Sequence, residues 1–435
     1  MDLGPNNKPD AGNVRGLLPR SGALLAALVL TGCGGGSGGD EVGSTSAAST
    51  LSVSVAACDA AAYDSGKLLY IVTEQRCAIS EAGTTIQLRY GSPATEAVSL
   101  SLKLGQEQPG VDIPGLGKRQ VGLFRSGQWR SFPNERAWIA RDGAGLVVLN
   151  GSLYLLGGWT NGPVTSEVWR TDDVANWTFL GNAPWKGRHG AAWLSHKNQM
   201  WVIGGDLFTD VWSSPDGIQW EQATADAGFG PRYTPNAAVI ADEIVLYAGQ
   251  DWTPIPWCND RPDCVARGNR SVWKSADGKT WTEILAQVPW EGRALIHGSV
   301  VHQGQIYLIG GGLKVAPPNE RYQETFVEYT DIWSSPDGIR WTQRLPSGAF
   351  PGRSHFSVAH TAKGCFVSDG SVGTQAALSN DLFFAADCIR FERLPVPQEL
   401  PVRHASSLVD FNGSLVLLGG PNYGNAGTSV WQYFP

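Results

Sequence analysis

The chain has 435 residues, of which 54 are glycine and 18 are tryptophan, and charged residues make up only 17% of it. The formal net charge of −7 argues against nucleic acid as a partner, because a phosphate backbone requires a basic surface. Abundant glycine and large aromatic residues predict an all-β protein of many short strands, tight turns and aromatic cores.

Residues 1–33 have the features of an export signal. Basic residues precede an apolar run at residues 23–30, which is too short for a permanent membrane span. The sequence LTGC at residues 30–33 resembles the lipobox of bacterial lipoproteins. This resemblance implies that Cys33 is lipidated and becomes the mature N-terminus, and an ordinary cleaved signal is the alternative. Gly34, in place of Asp, favours the outer membrane of the cell envelope.

The next segment divides into a tether and a small module. Residues 34–50 are rich in glycine and serine and have no apolar periodicity, so we expect a flexible tether. Residues 51–121 contain alternating strand patterns and two cysteines, which predict a small disulfide-tied β module. Apart from Cys33 the chain has six cysteines, an even number that favours disulfides in an oxidising compartment. The predicted pairs are Cys58 with Cys77, Cys258 with Cys264, and Cys365 with Cys388.

An internal repeat organises residues 122–435. Three hairpin segments, at residues 210–220, 271–281 and 331–341, have nearly the same sequence, with an Asp-Gly turn between two tryptophans eight positions apart. Weaker copies lie at residues 167–177 and 381–391. Upstream of each hairpin, an apolar strand ends in a pair of small residues, and another apolar strand precedes it. The unit therefore has four strands and recurs roughly every 45 to 60 residues.

A diglycine after an apolar strand, with aromatic residues at fixed spacing downstream, resembles the kelch repeat. The resemblance implies a kelch-type β-propeller of six four-stranded blades around a central channel. Three strands of the unit occur six times, and residues 128–132 resemble a fourth strand that has no blade of its own. We therefore expect this N-terminal strand to complete the last blade. Kelch propellers include copper radical oxidases, but three disulfides leave no free cysteine for that chemistry, and we expect no cofactor.

Each repeat carries an arginine just before its first strand, with a bulky residue three positions earlier. These six ring arginines are Arg141, Arg188, Arg232, Arg293, Arg353 and Arg403. Because the first strand of a blade lines the channel, we predict that the ring arginines surround one mouth of it. The longest loops fall on the same face, and they carry the aromatic candidates Trp159, Trp252, Trp257 and Tyr322.

We expect the arginines and the aromatic rings to line one concave surface at this mouth. Guanidinium groups bind carboxylates, and flat rings stack on sugars. This combination predicts non-enzymatic binding of a glycan or an acidic protein segment. His189, His355 and His404 closely follow ring arginines, and we interpret them as hydrogen-bonded channel residues because no metal-ligand spacing is present. No metal is predicted. We expect a monomer that is attached to the membrane by its lipid.

Two other interpretations stay open. Kelch propellers of the bacterial envelope include sialic acid mutarotases, and an enzyme of this kind needs a carboxylate-binding arginine and an acid/base pair. Glu291 and Asp142, each close to a ring arginine, are the candidates. The second alternative is a scaffold of an envelope complex with an inert mouth. In that case the ring arginines bond backbone carbonyls and are consumed by internal salt bridges.

Overall fold

The structure is a computed structural model, and it describes residues 51–435 except 56–57, 92–96, 133–137, 161, 254–264, 316–324, 374–376 and 421–427. The described residues form an all-β fold of 37 strands without an α-helix, so none of them belongs to a helix able to span a membrane. Predictions for Cys33, Trp257, Cys258, Cys264 and Tyr322 concern residues outside this part of the chain.

Seven strands precede the repeats and form two sheets. They are β1 (Leu51–Val55), β2 (Ala60–Asp64), β3 (Leu68–Thr73), β4 (Thr84–Tyr90), β5 (Ala97–Leu102), β6 (Glu107–Ile113) and β7 (Gly117–Arg125). One sheet has the order β1-β4-β5 and the other the order β2-β3-β7-β6, in which β3 and β7 are parallel. Buried residues such as Ile71 and Ile86 join both sheets in one core, and the predicted Cys58–Cys77 disulfide is formed.

Six sheets follow, and we call them repeats I to VI. Repeat I contains β9 (Gly145–Leu149), β10 (Ser152–Leu156), β11 (Glu167–Thr171) and β12 (Trp177–Asn182). Repeat II contains β13 (Ala192–His196), β14 (Gln199–Ile203), β15 (Val211–Ser214) and β16 (Glu221–Thr224). Repeat III contains β17 (Asn236–Ile240), β18 (Glu243–Tyr247), β21 (Val272–Ser275) and β22 (Thr282–Leu285).

The remaining three repeats have the same antiparallel order. Repeat IV contains β24 (Val300–His302), β25 (Gln305–Val315), β26 (Thr325–Ser335) and β27 (Thr342–Leu345). Repeat V contains β29 (Phe356–Thr361), β30 (Gly364–Ser368), β33 (Leu382–Ala385) and β34 (Glu392–Leu394). Repeat VI contains β35 (Ser406–Phe411), β36 (Ser414–Gly419), β37 (Val430–Phe434) and β8 (Gln128–Phe132). The short strand β23 (Ile296–His297) extends the sheet of repeat V by pairing parallel with β29. Other short strands lie between the repeats: β19 (Gln250–Thr253), β20 (Val265–Gly268), β28 (Arg353–Ser354), β31 (Ser371–Val372) and β32 (Ala377–Leu378).

The first strands of successive repeats contact one another. The contacts run from β9 through β13, β17, β24 and β29 to β35, and β35 contacts β9 again. Apolar side chains of neighbouring repeats share clusters, such as the one that joins Leu156 of repeat I to Val202 of repeat II. Burial of these faces, which the apolar second strands supply, is the main force that holds the repeats together.

Strand β8 pairs antiparallel with β37, with Ser131 opposite Trp431. This pairing confirms the prediction that residues 128–132 supply the fourth strand of the last repeat. The same region attaches the N-terminal module, because the ring of Phe124 stacks on that of Phe434 at a centroid distance of 3.9 Å. Tyr70 packs edge-on against both rings.

The Asp-Gly hairpin turns are structural, as predicted. In repeat II the Asp216 carboxylate accepts the backbone N–H groups of Ile218 and Gln219, and the Trp220 indole donates to the Gly217 carbonyl. Gly217 has a φ of 80°, in the left-handed region that favours glycine. In repeat V the equivalent position is Cys388, with a φ of 58°, and it forms the predicted disulfide with Cys365.

Candidate functional site

The six ring arginines are buried, with at most 1% of each residue exposed. Each donates from a guanidinium nitrogen to the backbone carbonyl of the first residue of the small-residue pair in its own repeat, at 2.7 to 3.1 Å. The acceptors are the carbonyls of Gly157, Gly204, Ala248, Gly310, Asp369 and Gly419. All six acceptor residues have a positive φ, between 53° and 74°.

A side chain at the start of the third strand provides the second partner. In repeat II the Arg188 guanidinium holds both oxygens of Asp210, at 2.6 and 3.0 Å, and the Trp212 indole donates to the same carboxylate at 2.8 Å. Burial alone would raise the pKa of Asp210, but the hydrogen bond and charge of Arg188 outweigh it, and the pKa is lowered.

The other repeats contain the same arrangement with different partners. We call each set of arginine, carbonyl and third-strand partner an arginine unit. The partners are Glu167 for Arg141, Asp331 for Arg293 and Asp381 for Arg353, with serine hydroxyls for the other two, Ser271 for Arg232 and Ser429 for Arg403. Burial lowers the pKa of Arg232 and of Arg403, whose partners carry no charge.

The guanidinium groups are therefore engaged inside each repeat, and a ligand has no access to them. This geometry is the one expected if the arginines bond backbone carbonyls and internal acids. The bulky residues three positions earlier are buried as well, and the Arg188 guanidinium lies 5.8 Å from the ring centroid of Trp185. The six ring arginines, which were predicted to bind a ligand, are therefore not part of the candidate site.

The predicted aromatic candidates differ in exposure. Trp252 is 1% exposed and packs with Tyr233, Leu295 and Phe326 in a small apolar cluster. Trp159 is half-buried, and its backbone exchanges two 3.0 Å hydrogen bonds with that of Asp142. Of these two tryptophans, only Trp159 presents an accessible indole beside the residues that follow the ring arginines.

Polar side chains do gather at the residue that directly follows a ring arginine. Asp142, His189, Tyr233 and His404 occupy this position in four repeats, and Asp206 joins them from the loop after the small-residue pair of repeat II. We call these five residues the mouth cluster. Sequence reasoning included His189 and His404 as binding candidates and Asp142 as a candidate acid, but missed Tyr233 and Asp206.

The mouth cluster contains two histidine–carboxylate pairs. His189 Nδ1 lies 2.9 Å from Asp206 Oδ2, and its Nε2 lies 3.3 Å from the Tyr233 hydroxyl. Burial lowers the pKa of His189, but the hydrogen bond and charge of Asp206 outweigh it, so the pKa is raised. In the second pair, His404 Nε2 lies 3.6 Å from Asp142 Oδ2.

Several polar atoms here have no hydrogen-bond partner among the described residues. They include Asp142 Oδ1, His404 Nδ1 and the hydroxyl of Ser354, which follows the ring arginine of repeat V. Buried polar atoms are normally paired with protein or water, since an unpaired one costs roughly 1–3 kcal/mol. These three atoms are enclosed by protein, so they are not themselves contact points for a ligand at the surface.

A belt of backbone forms the floor beneath the mouth cluster. It consists of the residue two positions after each ring arginine: Gly143, Gly190, Thr234, Leu295, His355 and Ala405. All six have a positive φ, between 48° and 62°. Backbone N–H groups join Gly190 to Gly143, Gly143 to Ala405, and Ala405 to His355 across neighbouring repeats, at 2.6 to 2.7 Å. The belt fixes the spacing of the mouth cluster.

His355 lies in the belt between two other imidazoles. Its ring centroid is 6.3 Å from that of His297 and 5.8 Å from that of His404. Burial, and then the neighbouring histidines, lower the pKa of His297 to about 3 and that of His355 well below its usual value. Both are therefore neutral at neutral pH. Beneath the belt, a cavity of about 50 Å³ is lined by residues that include Trp193, Asn236 and His297.

The described residues contain no group of three or more metal-ligating side chains. No protein-family model matches the sequence, and no curated protein matches it.

Glu291, the second predicted acid, is exposed and contributes its backbone carbonyl to Arg293 Nε at 2.9 Å. The candidate site is thus the mouth cluster with Trp159 beside it.

Proposed function

We propose that repeats I to VI form a six-bladed β-propeller of the kelch type. The contacts between first strands, which return from β35 to β9, support a closed ring of sheets. Completion of repeat VI by β8 supports it as well, because joining the two ends of a ring removes an exposed sheet edge. The central channel then runs along the first strands, and the belt closes it below the mouth cluster.

We further propose that this propeller is displayed in the cell envelope by a lipid on Cys33, with the outer membrane as its destination. The lipobox at residues 30–33 is the support for this proposal. Labelled palmitate should enter the full chain, and a Cys33→Ala variant should take up none. Equal labelling of both would contradict the proposal.

The function that the geometry supports best is binding of a glycan at the mouth cluster. The observation that carries this proposal is the Asp142–His404 pair, a carboxylate and an imidazole that lie 3.6 Å apart beside Trp159. Sugar hydroxyls both donate and accept hydrogen bonds, and so they suit a carboxylate and an imidazole at once. The half-buried Trp159 indole next to Asp142 offers a flat apolar surface for a sugar ring.

An acidic protein segment is a weaker candidate for the ligand. Such a segment would need exposed guanidinium groups, and all six ring arginines are buried and bonded internally. Carboxylates of the mouth cluster, Asp142 and Asp206, would in addition repel it. We therefore propose a glycan, and not an acidic protein segment, as the ligand of the mouth cluster.

A glycan array with the full chain in detergent tests the proposal. We expect wild-type protein to bind a subset of glycans, and Asp142→Asn and His404→Gln to lose at least tenfold in affinity. His302→Gln is the matched control, because this histidine lies at the other end of a first strand. Binding that persists in both mouth variants would overturn the assignment of the site, and no binding by any folded protein would favour the scaffold.

A sugar mutarotase is the second candidate, and the two histidine–carboxylate pairs favour it. Exchange of anomers requires one group that donates a proton to the ring oxygen and one that removes a proton from the anomeric hydroxyl. His404 with Asp142, and His189 with Asp206 and Tyr233, are suitable pairs at one mouth. Magnetisation transfer between the anomeric proton resonances of a bound sugar would detect catalysis. Binding without faster exchange would leave the protein a lectin-like binder.

A further inference from the structure

Two histidines from neighbouring repeats meet at the end of the first strands that lies away from the mouth cluster. His302 is the last residue of β24 in repeat IV, and His360 lies near the end of β29 in repeat V. Nδ1 of His302 is 2.9 Å from Nε2 of His360. This contact is a hydrogen bond between two half-buried rings, so a metal ion that binds here replaces the shared proton.

The strands hold these two rings in place. His360 is paired in register with Cys365, and that cysteine is tied to Cys388 by the disulfide. The Tyr307 ring packs edge-on against the His302 ring at a centroid distance of 6.0 Å. Two donors on adjacent strands, each with a supported ring, form a preorganised pair and not a chance contact between mobile side chains.

The separation of the nitrogens suits one metal ion. Imidazole nitrogens bind such ions at about 2.0–2.1 Å. Two of them at the right angle of a square-planar Cu²⁺ site are about 2.9 Å apart, whereas the tetrahedral angle of Zn²⁺ would place them about 3.3 Å apart. A metal requires the neutral imidazole.

We propose that His302 and His360 together bind one divalent transition-metal ion, with Cu²⁺ bound more tightly than Zn²⁺ and with solvent in the remaining coordination positions. Imidazole suits copper, zinc and nickel, and affinity at a given nitrogen site is greatest for Cu²⁺. Only two protein ligands are in place, since the described residues contain no cluster of three. Such an open site exchanges its metal with solvent or with another ligand. It is independent of glycan binding at the mouth cluster.

The two histidines are 58 positions apart in the sequence and belong to different repeats. Sequence reasoning predicted no metal because it searched for local ligand spacings, and no such spacing exists here. The contact arises only because first strands of neighbouring repeats lie side by side.

Cu²⁺ affinity is the property to measure, by competition with a chelator, on the full chain in detergent without a polyhistidine tag. We expect wild-type protein to bind one Cu²⁺ at this site, and His302→Gln and His360→Gln each to lose at least tenfold in affinity. The double variant should lose no more than either single one, because each ligand needs the other. His196→Gln is the matched control, since His196 ends the first strand of repeat II, and it should keep wild-type affinity.

Electron paramagnetic resonance of the Cu²⁺ complex gives a readout that does not depend on folding of the variants. Its nitrogen hyperfine pattern should show two imidazoles, and it should be unchanged in a His189→Gln, His404→Gln variant that lacks the mouth imidazoles. Unchanged affinity in either His302→Gln or His360→Gln, or loss of the signal in the mouth variant, would overturn the proposal. A failure of this site would leave the glycan proposal untouched.

Discussion

The arginine units and the mouth cluster are built from adjacent positions of the same repeat, and they differ in almost every property. The arginine is present in all six repeats, and it is buried and bonded inside its own sheet. The next residue is Asp142, His189, Tyr233, Ala294, Ser354 or His404, and several of these side chains keep polar atoms without a partner. A position that every repeat shares serves the repeat itself, whereas a position that varies between repeats is free to build one asymmetric site.

The largest expected effect comes from breaking an arginine unit. Arg188→Ala leaves Asp210 and the Gly204 carbonyl without their partner, and loss of one member of a buried ion pair costs about 3–5 kcal/mol in the free energy of unfolding. Denaturant titration measures this loss. Arg340→Ala removes an exposed pair with Asp337 and should cost less than about 1 kcal/mol. Equal effects of the two substitutions would contradict the role given to the arginine units.

Removal of the disulfide in repeat V should have the next largest effect. The Cys365→Ala, Cys388→Gly variant restores the glycine that other repeats have at this left-handed turn, so it isolates the cross-link from backbone strain. We expect the free energy of unfolding to fall by about 2–4 kcal/mol. Reduction should lower the midpoint of thermal denaturation of the wild-type protein by more than that of the variant, which keeps only the Cys58–Cys77 disulfide among the described pairs. Equal shifts in the two proteins would count against the prediction.

The pH dependence of stability should change in Asp369→Asn. Asp369 is fully buried and accepts a hydrogen bond from Ser406, and burial raises its pKa to about 7. Because the unfolded carboxyl has a pKa of about 3.9, wild-type stability is lost as pH rises from about 4 to about 7, by at most about 1.4 kcal/mol per pH unit. The variant lacks this proton. Its stability relative to wild type should therefore rise over that window, and a constant difference would show that Asp369 is ionised in the fold.

The serine partners offer a gain of stability. Ser271→Asp gives Arg232 the carboxylate that repeats II and IV have at this position, and replacing a neutral acceptor by a charged one, so that an ion pair forms, should add about 1 kcal/mol to the free energy of unfolding. Thermal denaturation measures the change, with Asp210→Ser as the reverse substitution. A lower midpoint in Ser271→Asp would show that the hydroxyl is the better partner in repeat III.

The smallest effect on stability is expected at the mouth cluster. Asp142→Asn keeps the shape of the side chain and removes a charge that contacts only His404, at 3.6 Å. We expect a smaller loss in the free energy of unfolding than for Arg188→Ala, because the two largely buried side chains share one long contact and the amide removes a buried charge with an unpaired oxygen. Glycan affinity should nevertheless be lost. A variant as destabilised as Arg188→Ala would remove the distinction between the two positions.

The repeat and its boundaries could be predicted from the sequence because tight turns and apolar strands are local features. Residues 128–132 were predicted as the fourth strand of repeat VI by the same reasoning, because they resemble a fourth strand although no first three strands of a repeat precede them in the chain. The arginines were predicted at the correct end of the first strands. Their partners were missed, although an acidic or serine residue two positions before each third-strand aromatic was visible in every copy.

The remainder of the site could not be predicted because it depends on which repeats are neighbours. Asp206 joins His189 through a loop, and Tyr233 reaches the same ring from repeat III. The contact between His302 and His360 likewise crosses from one repeat to the next. A sequence pattern gives the position of a residue within its repeat, but contacts between repeats require coordinates.

Pairing of β8 with β37 also has a consequence for folding. β8 precedes all six first strands in the chain, and its partner β37 follows all of them. Until the two strands meet, β8 is a strand without a mate, and closure is a late, long-range event of the slow kind. A chain that stops before β37 would keep this edge open and would tend to aggregate. Closure of the last sheet thus requires both ends of the repeat region, and it is the step that removes this edge.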